Sequence, residues 1–438
     1  MRWPDGRAAL ALAGVLLAAG AAGALQRRAP ALPPNDGGET PAVFRRFAAQ
    51  VAKLQVVEVR SGAKQVTGSG FFVSPDGLAI TNYHVVADLV HDPDKYRAEL
   101  LGSGGRTTPV RVLAVDVVHD LAVIRTGSAP SDWFRLAPVS IMQGLRLYAL
   151  GHPGDLGIAI VEGTFNGRLP HTLYPRIHFT GSINPGMSGG PTITLDGRVV
   201  GINVATAGNQ QSFLVPVEDA IALLARARGA APPPAESLLA DVGRQLLAYQ
   251  DIYLAHLFAD SVPTVRLGGW RLPTEPTDIF NCWGETDDGP DQPYTITHHY
   301  CGTGDDIFLS SEQSSGIIEF EHDLVESDEL GLFRFSALYT RELRSLATDW
   351  GLDREGDEDV SGYRCRAGNV RQGTLKGKAV LCLRAYKRLP GLYDAVFRLA
   401  TLGGRRSGVI TTLTLSGVSV ANAERVVRRY VAAIGWAP

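Results

Sequence analysis

The first 281 residues of this 438-residue chain contain no cysteine, and the whole chain carries almost no excess of charge of either sign. With 42 basic and 45 acidic side chains its formal net charge is -3, so no nucleic-acid partner is expected. Charged residues make up 20% and hydrophobic residues 45% of the chain, which excludes a disordered tail protein, a collagen and a polytopic membrane protein. The length suits one to three globular domains.

The N-terminus has the pattern of an export signal. Residues 8–25 are an uncharged run behind Arg2 and Arg7, and 12 of these 18 residues are Ala or Gly. The Ala-Gly-Ala at 22–24 suits a signal peptidase, so we predict a cleavable secretory signal, with an uncleaved membrane anchor as the alternative. Either places the globular part outside the cytoplasm, whether periplasmic, extracellular or membrane-anchored through this segment.

The rest of the chain divides by local pattern. Helical spacing of apolar residues from Phe44 to Leu54 predicts an entry helix, and many short strands with turn signals follow up to Val217. Helices are predicted at 216–228, 238–258 and 421–434, with alternating strand patterns between 262 and 415. The expected organisation is a signal or anchor at 1–25, a flexible linker at 26–42, an all-β domain at 43–229, a Pro-rich linker at 230–236 and an α+β domain of unknown topology at 237–438.

All four cysteines lie in the second of these domains: Cys282, Cys301, Cys365 and Cys382. Export favours disulfides, and four cysteines allow three pairings. We predict the sequence-local pairing, first with second and third with fourth, because each pair would close a short hairpin. The lack of a Cys-x-x-Cys spacing argues against a redox or zinc role.

Charge is segregated within the same domain. Residues 275–360 hold 22 acidic and 4 basic side chains, whereas residues 361–438 hold 14 basic and 2 acidic ones. The two segments could pair within one fold, form separate surfaces for a partner, or, for the acidic one, bind calcium. The simplest alternative is that the acidic run forms a solvent-exposed face without a binding role. The basic segment alone is charged enough to attract an anionic partner.

Three segments of the β-rich domain place a reactive side chain beside a turn: His84 after Thr-Asn-Tyr, Asp120 before an apolar run, and Ser188 among glycines. A serine hydroxyl becomes a nucleophile when a histidine takes its proton, and a carboxylate fixes the tautomer of that histidine. Glycines let the N–H groups of Gly186 and Ser188 converge on an oxyanion. We therefore predict a His-Asp-Ser catalytic triad with this oxyanion hole.

The order and context of these residues resemble the trypsin/chymotrypsin-like serine peptidases, and most closely the bacterial HtrA/Deg branch. The resemblance covers about residues 55–225 and is carried by five motifs: Gly-Ser-Gly-Phe-Phe-Val at 68–73, Thr-Asn-Tyr-His-Val-Val at 81–86, Asp-Leu-Ala-Val-Ile at 120–124, Asn-Pro-Gly-Met-Ser-Gly-Gly-Pro at 184–191 and Gly-Ile-Asn-Val-Ala at 201–205. It implies two six-stranded β-barrels with the triad between them. It also implies that the pocket for the residue before the scissile bond is bounded by residues 181–185 and 201–205.

That pocket would be lined by Ser182, Ile183, Asn203 and Val204. Since neither stretch offers an acidic side chain, we expect a preference for small or medium apolar residues. Met187 replaces the Asp that animal digestive relatives use to bind a freed N-terminus, so that mode of activation is not available here. The PDZ modules usual in the branch have no counterpart in residues 237–438.

The sequence thus predicts an exported serine endopeptidase that acts through an acyl-enzyme on protein or peptide substrates. Neither a metal nor a cofactor is needed for this chemistry. The alternatives are a non-catalytic binding protein on a peptidase scaffold and an esterase. The oligomeric state is left open.

Overall fold

The computed structural model describes residues 38–102, 106–127, 129–170, 172–206, 208, 210–229, 231–258, 262–349 and 355–437. The predicted signal or anchor lies outside these residues, as does most of the first linker. Among the described residues, none of the helices combines the length with the apolar composition that a membrane span requires. Residues from Glu39 onwards form one compact unit.

The chain enters through a short helix and then builds a closed six-stranded barrel from the described residues. The strands of this first barrel pair in the order β1-β2-β3-β6-β5-β4, all antiparallel. Its elements are α1 (Glu39–Phe47), β1 (Val51–Glu58), β2 (Lys64–Phe72), β3 (Leu78–Thr81), α2 (Tyr83–His91), β4 (Tyr96–Leu101), β5 (Thr107–Asp116) and β6 (Leu121–Thr126).

A second closed barrel of the same size follows, and its described strands pair in the order β10-β11-β12-β9-β8-β7. The predicted double barrel is therefore confirmed. The elements are β7 (Arg146–Gly151), β8 (Ala159–Arg168), β9 (Ile177–Phe179), β10 (Pro191–Ile193), β11 (Val199–Thr206), β12 (Ser212–Pro216) and α3 (Val217–Ala227).

The predicted entry helix is too long. Helix α1 ends at Phe47, and Val51 and Leu54 already belong to β1. Almost every residue of β1 is buried, because both faces of this strand are covered. A strand of that kind shows no clean alternation and is easily taken for the continuation of a helix.

The C-terminal region is α+β, as predicted, and its described residues contain a seven-stranded antiparallel sheet with the order β15-β16-β19-β23-β22-β21-β20. Its elements are α4 (Ala235–Leu257), β13 (Thr264–Leu267), β14 (Trp270–Pro273), β15 (Phe280–Asp287), β16 (Thr295–Thr303), β17 (Ile307–Ser310), β18 (Gln313–Ser315), β19 (Ile318–Glu326), α5 (Leu332–Asp349), β20 (Arg364–Gln372), β21 (Leu375–Ala385), β22 (Tyr393–Thr401), β23 (Ser407–Val418), α6 (Val420–Ala433) and β24 (Gly435–Trp436).

The sequence located α3, α4 and α6 to within a few residues but missed α2 and α5. Helix α5 lies in a stretch assigned to alternating strands. Its buried residues Phe335 and Leu338 are three positions apart and pack against Ile296 and Val325 of the sheet. That three-residue spacing was the helical signal in the segment.

The predicted disulfide pairing is confirmed, and each bond joins an outermost strand of the large sheet to its neighbour. Cys282 of β15 lies opposite Cys301 of β16, with 4.1 Å between the Cα atoms. Cys365 of β20 lies opposite Cys382 of β21, with 4.0 Å between the Cα atoms. Edge strands have hydrogen-bonding neighbours on one side only, so covalent links hold them where the sheet is least supported.

The segregated charges lie towards opposite edges of this sheet. Strands β15, β16 and β19 belong to the acidic segment, and β20 to β23 belong to the basic one. Ion pairs between the segments in the described residues include Arg406 with Asp328 (3.7 Å) and Arg388 with Asp359 (3.9 Å). The acidic and basic segments thus occupy different parts of the sheet and are joined by a few ion pairs.

The C-terminal region shares a hydrophobic core with the first barrel. Leu238 and Val242 of α4 belong to the same buried cluster as Val112 and Val115 of β5. The Gln245 side chain also donates to the carbonyl of Val115 (2.9 Å) and accepts from the N–H of Val117 (3.0 Å). Helix α4 therefore covers the barrel wall just before Asp120.

We expect both disulfides to contribute to stability. Replacing Cys365 and Cys382 together with Ser should lower the free energy of unfolding by about 3 kcal/mol, because the bond closes a loop of 17 residues in the unfolded chain. Denaturant unfolding of this variant, and of the matching Cys282/Cys301 variant, measures the effect. Free thiols titrating in the denatured, unreduced wild type would contradict the pairing.

Candidate functional site

The imidazole of His84 and the carboxylate of Asp120 meet at the start of helix α2. The Nδ1–H of His84 donates to Oδ2 of Asp120 at 2.6 Å, and the backbone N–H of His84 donates to Oδ1 at 2.8 Å. The N–H groups in the first turn of a helix lack intrahelical partners and carry partial positive charge. Asp120 therefore satisfies the helix terminus and orients the imidazole at the same time.

The backbone of Asp120 fixes this arrangement from the other side. Its carbonyl accepts from the N–H of Tyr83 (3.1 Å) and from the Asn82 side-chain amide (2.7 Å). Asp120 has φ +53°, in the left-handed region that Asp tolerates better than most residues. The turn before β6 thus presents both its carbonyl and its carboxylate to α2.

The charge of Asp120 controls the basicity of His84. Burial lowers the pKa of His84, but the Asp120 charge and hydrogen bond raise it by more, so the pKa of His84 lies above its ordinary value. A neutral imidazole held in this way can take a proton at Nε2 and keep the resulting charge beside a carboxylate.

A second carboxylate, Asp116, lies four residues before Asp120 and has a different partner. Its Oδ2 accepts from Nδ1 of His119 at 2.9 Å, and its Oδ1 accepts from the His119 backbone N–H at 3.1 Å. His119 is also 4.0 Å from Asp219 of α3. Asp116 and His119 therefore stabilise the turn that leads to Asp120, while Asp120 alone of the two carboxylates contacts His84.

Ser188 lies in a tight turn built from glycines. Gly189 has φ +85°, and a Cβ there would lie 2.1 Å from the carbonyl oxygen of Ser69. The carbonyl of Ser188 accepts from the N–H of Ser69 at 2.7 Å. The Ser188 hydroxyl donates to the carbonyl of Val204 at 3.2 Å, so in this structure it does not point to His84.

The loop at residues 152–156 holds Gly186, one of the two predicted oxyanion donors. The carbonyl of Pro185 accepts from the N–H of Gly154 at 3.2 Å. Because the carbonyl and the N–H of a trans peptide point in opposite directions, the N–H of Gly186 points away from Gly154. Gly186 has φ +94°, and a Cβ there would lie 2.5 Å from the carbonyl oxygen of His152. Only glycine fits this position.

A buried lysine ties the same loop to the first barrel. Nζ of Lys53, on β1, donates to the carbonyl of Gly154 (2.7 Å) and to Oδ1 of Asp155 (2.6 Å). Burial and the Lys53 charge lower the pKa of His152 to about 4, so His152 stays neutral beside the oxyanion turn. The Lys53 contact therefore fixes the backbone against which Gly186 is oriented.

The four predicted pocket residues differ in exposure. Ser182 is exposed, Val204 is half-buried and Ile183 is buried in the core of the second barrel. The Asn203 side chain is fully buried, and its amide donates to the carbonyls of Leu150 (3.0 Å) and Met187 (3.2 Å). Asn203 thus supports the oxyanion turn with its side chain. A role for these four residues in substrate binding stays a prediction.

Met187 is anchored by apolar packing. Its side chain is fully buried among Leu147, Phe179 and Leu214 in the second barrel. Its backbone N–H donates to the carbonyl of Asn184 at 2.9 Å. Hydrophobic burial therefore holds the turn at the position where digestive relatives use a charged Asp.

Sequence reasoning missed two supporting residues, Ser69 and Lys53. The buried Ser69 hydroxyl donates to the carbonyl of Gly186 (2.7 Å) and accepts from the N–H of His152 (2.8 Å). The glycines on both sides of Ser69 were a signal of close backbone approach. A Lys between the apolar residues Ala52 and Leu54 was the weaker signal for Lys53.

Two clusters in the described C-terminal sheet bring together metal-ligating residue types. In the first, Cys282 and Cys301 are bonded to each other, which leaves His299 as the remaining donor. In the second, Nδ1 of His298 donates to Asp323 at 2.7 Å and lies 3.9 Å from Glu321. His298 and Asp323 of the second cluster are already hydrogen-bonded to each other, and this hydrogen bond raises the pKa of His298.

Comparison with known families identifies the β-rich domain. Residues 68–202 match the family model described as a trypsin-like peptidase domain, and this span contains His84, Asp120 and Ser188. With the two closed barrels, the match defines a trypsin-like serine peptidase domain. The predicted recognition is therefore confirmed for this part of the chain.

The relatives lie in the HtrA/DegP branch. The chain is 35% identical over 187 residues to a probable periplasmic serine endoprotease, DegP-like, from Marinomonas sp. (strain MWYL1), covering 39% of this chain and 38% of the relative. It is also 35% identical over 159 residues to the mitochondrial serine protease HTRA2 of Bos taurus, covering 34% and 33%. The chain thus spans well under half the length of either relative.

Among solved structures, the active form of the Rv3671c protease from M. tuberculosis is 22% identical to this chain. The comparison covers 48% of this chain and 95% of that one, with a TM-score of 0.39.

The Lys53 contact predicts a kinetic effect. Lys53→Met should lower kcat for peptide hydrolysis by tenfold or more, with a smaller change in KM, since removal of a single oxyanion donor costs about 10²- to 10³-fold. Lys64→Met is the matched control, because Lys64 contacts Asp155 (3.1 Å) from an exposed position. Equal activity of the two variants would contradict this role of Lys53.

Proposed function

We propose that this chain is an exported serine endopeptidase that cleaves peptide bonds through an acyl-enzyme. The observation that supports it most strongly is the 2.6 Å contact between His84 and Asp120. This pair lies at the start of α2, and Asn82 just before that helix packs against Gly189 of the turn that carries Ser188. Burying the Asp120 carboxylate without a partner would cost free energy of folding. Its pairing with His84 avoids this cost and prepares the imidazole for proton transfer.

The proposed reaction begins when the Ser188 hydroxyl rotates away from the Val204 carbonyl towards His84. His84 takes the hydroxyl proton at Nε2 while Ser188 Oγ attacks the scissile carbonyl carbon. The N–H groups of Gly186 and Ser188 then stabilise the negative oxygen of the tetrahedral intermediate. His84 returns the proton to the departing amine, leaving an acyl group on Ser188.

Water completes the cycle by the reverse route. His84 removes a proton from a water molecule, which attacks the acyl carbon and regenerates the Ser188 hydroxyl. The Asp120 carboxylate balances the charge on His84 during each transfer. This chemistry uses only groups of the chain itself.

Export and substrate class are parts of the same proposal. A DegP-like relative is named periplasmic, and the first 25 residues have the pattern of a secretory signal. One relative is named a serine endoprotease and the other a serine protease, which favours protein substrates over simple esters. Residues 181–185 and 201–205 contain no acidic residue, which favours small or medium apolar side chains before the cleaved bond.

A serine-directed fluorophosphonate tests the nucleophile. We expect it to modify Ser188 in the full chain, and Ser188→Ala to abolish both labelling and casein hydrolysis. Ser237→Ala, an exposed serine on α4, is the control. Unlabelled wild type would favour a non-catalytic scaffold, and hydrolysis of a short-chain ester without casein cleavage would favour an esterase.

The pH dependence tests the role of Asp120. Because only neutral His84 accepts a proton, kcat/KM should fall with decreasing pH through a midpoint above about 6.5, the ordinary value for histidine. Asp120→Asn removes the charge that raises the pKa of His84 and leaves the lowering effect of burial, so the midpoint of kcat/KM should move to lower pH. The rate of peptide hydrolysis should also drop by about 10⁴-fold. Asp116→Asn should keep the wild-type midpoint, and an equal shift in both variants would contradict the assignment.

A further inference from the structure

A hairpin of the C-terminal region contacts the residue proposed as the catalytic base. The ring of Phe308, on β17, lies 6.0 Å from the His84 imidazole between centroids, with an angle of 73° between the planes. The same ring lies 6.5 Å from that of Tyr83, at 68°. Both are edge-to-face contacts, the arrangement that aromatic rings favour.

The strand alternation of β17 explains why this ring reaches His84. Ile307 and Leu309 are buried in the core shared with the first barrel, while Phe308 is half-buried on the opposite face. The Tyr83 hydroxyl donates to the carbonyl of Leu309 at 3.1 Å and is fully buried. Tyr83, the neighbour of His84, therefore anchors Leu309, the neighbour of Phe308.

A second anchor holds the start of the hairpin to the second barrel. Oδ1 of Asp305 accepts from Arg176 at 2.7 Å, and Oδ2 accepts from the N–H of Leu173 at 3.1 Å. The side chains of Asp305 and Arg176 are each only 14% exposed, so water screens this ion pair weakly. The hairpin is thus attached to both barrels beside the cleft.

The anchoring segment also reaches the surroundings of Asp120. The Tyr174 hydroxyl donates to the carbonyl of Asp306 at 3.3 Å, and its ring lies 6.2 Å from that of His119. Burial raises the pKa of Tyr174 to about 12, with a contribution from the Asp120 charge, so this hydroxyl stays neutral. The contacts of the C-terminal region therefore continue from His84 to the turn that carries Asp120.

We propose that Phe308 is a positioning residue for His84, so that the C-terminal region forms part of the active site. This inference rests on the proposed function. Asp120 holds the imidazole at Nδ1 alone, and one hydrogen bond leaves the ring free to tilt about that contact. The Phe308 ring limits this motion and keeps Nε2 directed into the cleft. It also excludes water from one side of the imidazole.

The test compares Phe308→Ala with Phe308→Tyr in the full chain. We expect Phe308→Ala to lower kcat about tenfold with little change in KM, because small misplacements of catalytic groups cost up to about 10²-fold. Reaction with a small fluorophosphonate should slow by a similar factor, since this reagent makes no extended contacts. Phe308→Tyr keeps the ring and should retain near wild-type rates.

The pH profile separates positioning from a purely structural role. Without the Phe308 ring, water reaches His84 and the lowering effect of burial decreases, so the midpoint of kcat/KM should move to higher pH in Phe308→Ala. Phe333→Ala removes an 89% exposed ring on α5 and should leave midpoint and rate unchanged. If Phe308→Ala unfolds, Phe308→Leu takes its place.

Three outcomes would overturn the inference. A raised KM with an unchanged fluorophosphonate rate would make Phe308 a substrate contact. Unchanged kinetics and an unchanged midpoint would leave it without a role in catalysis. An equal loss of rate in Phe308→Ala and Phe308→Tyr would exclude positioning by the ring. Failure of the wild type to react at all would instead refute the proposed function.

Discussion

The hydrogen bonds of Ser69 join the two barrels at the point where the site is formed. Its N–H donates to the Ser188 carbonyl and its hydroxyl to the Gly186 carbonyl, so one residue of β2 sets the position of the whole glycine turn. The Thr81 hydroxyl in turn donates to the Ser69 carbonyl at 2.7 Å, which links this point to the strand that leads to His84. His84 and Ser188, the proposed base and nucleophile, belong to different barrels, and their spacing depends on this junction.

The C-terminal region reinforces the same junction from outside. Helix α4 satisfies the backbone of Val115 and Val117, and the β17–β18 hairpin contacts α2 on one side and residues 173–176 on the other. Arg388 adds an ion pair with Asp92, just past the end of α2, at 2.9 Å. Removing this region would expose a shared core and leave buried backbone groups unpaired. Single substitutions therefore probe its role better than truncation does.

Much of this architecture could be predicted from the sequence because its signals are local. The glycine turn around Ser188, the polar step before His84 and the turn before β6 each combine residues that are adjacent in the chain. The disulfides were predictable for the same reason, since each closes a hairpin. The Asp-Leu-Ala-Val-Ile motif selected Asp120 over the nearby Asp116, and the two carboxylates also differ in their observed partners, His84 and His119.

The parts that escaped prediction depend on contacts between distant segments. Lys53, Ser69 and Phe308 acquire their roles from groups that approach only after the barrels and the hairpin have packed, and no local motif marks Phe308. Helix α2 was not predicted, because the polar residues before His84 were taken as the sign of a turn between strands. The fold of residues 237–438 could be predicted only as α+β, because the order of strands in a sheet leaves no local trace in the sequence. Their function could not be inferred from the sequence.

The proposed mechanism depends on the formation of an acyl-enzyme on Ser188, which a burst experiment can measure. When the full chain is mixed with an activated ester, the leaving group should appear in a rapid burst that approaches one equivalent per chain, followed by slower turnover. Ser188→Ala should show no burst. A burst that persists in this variant, or a wild type without either burst or turnover, would contradict the account.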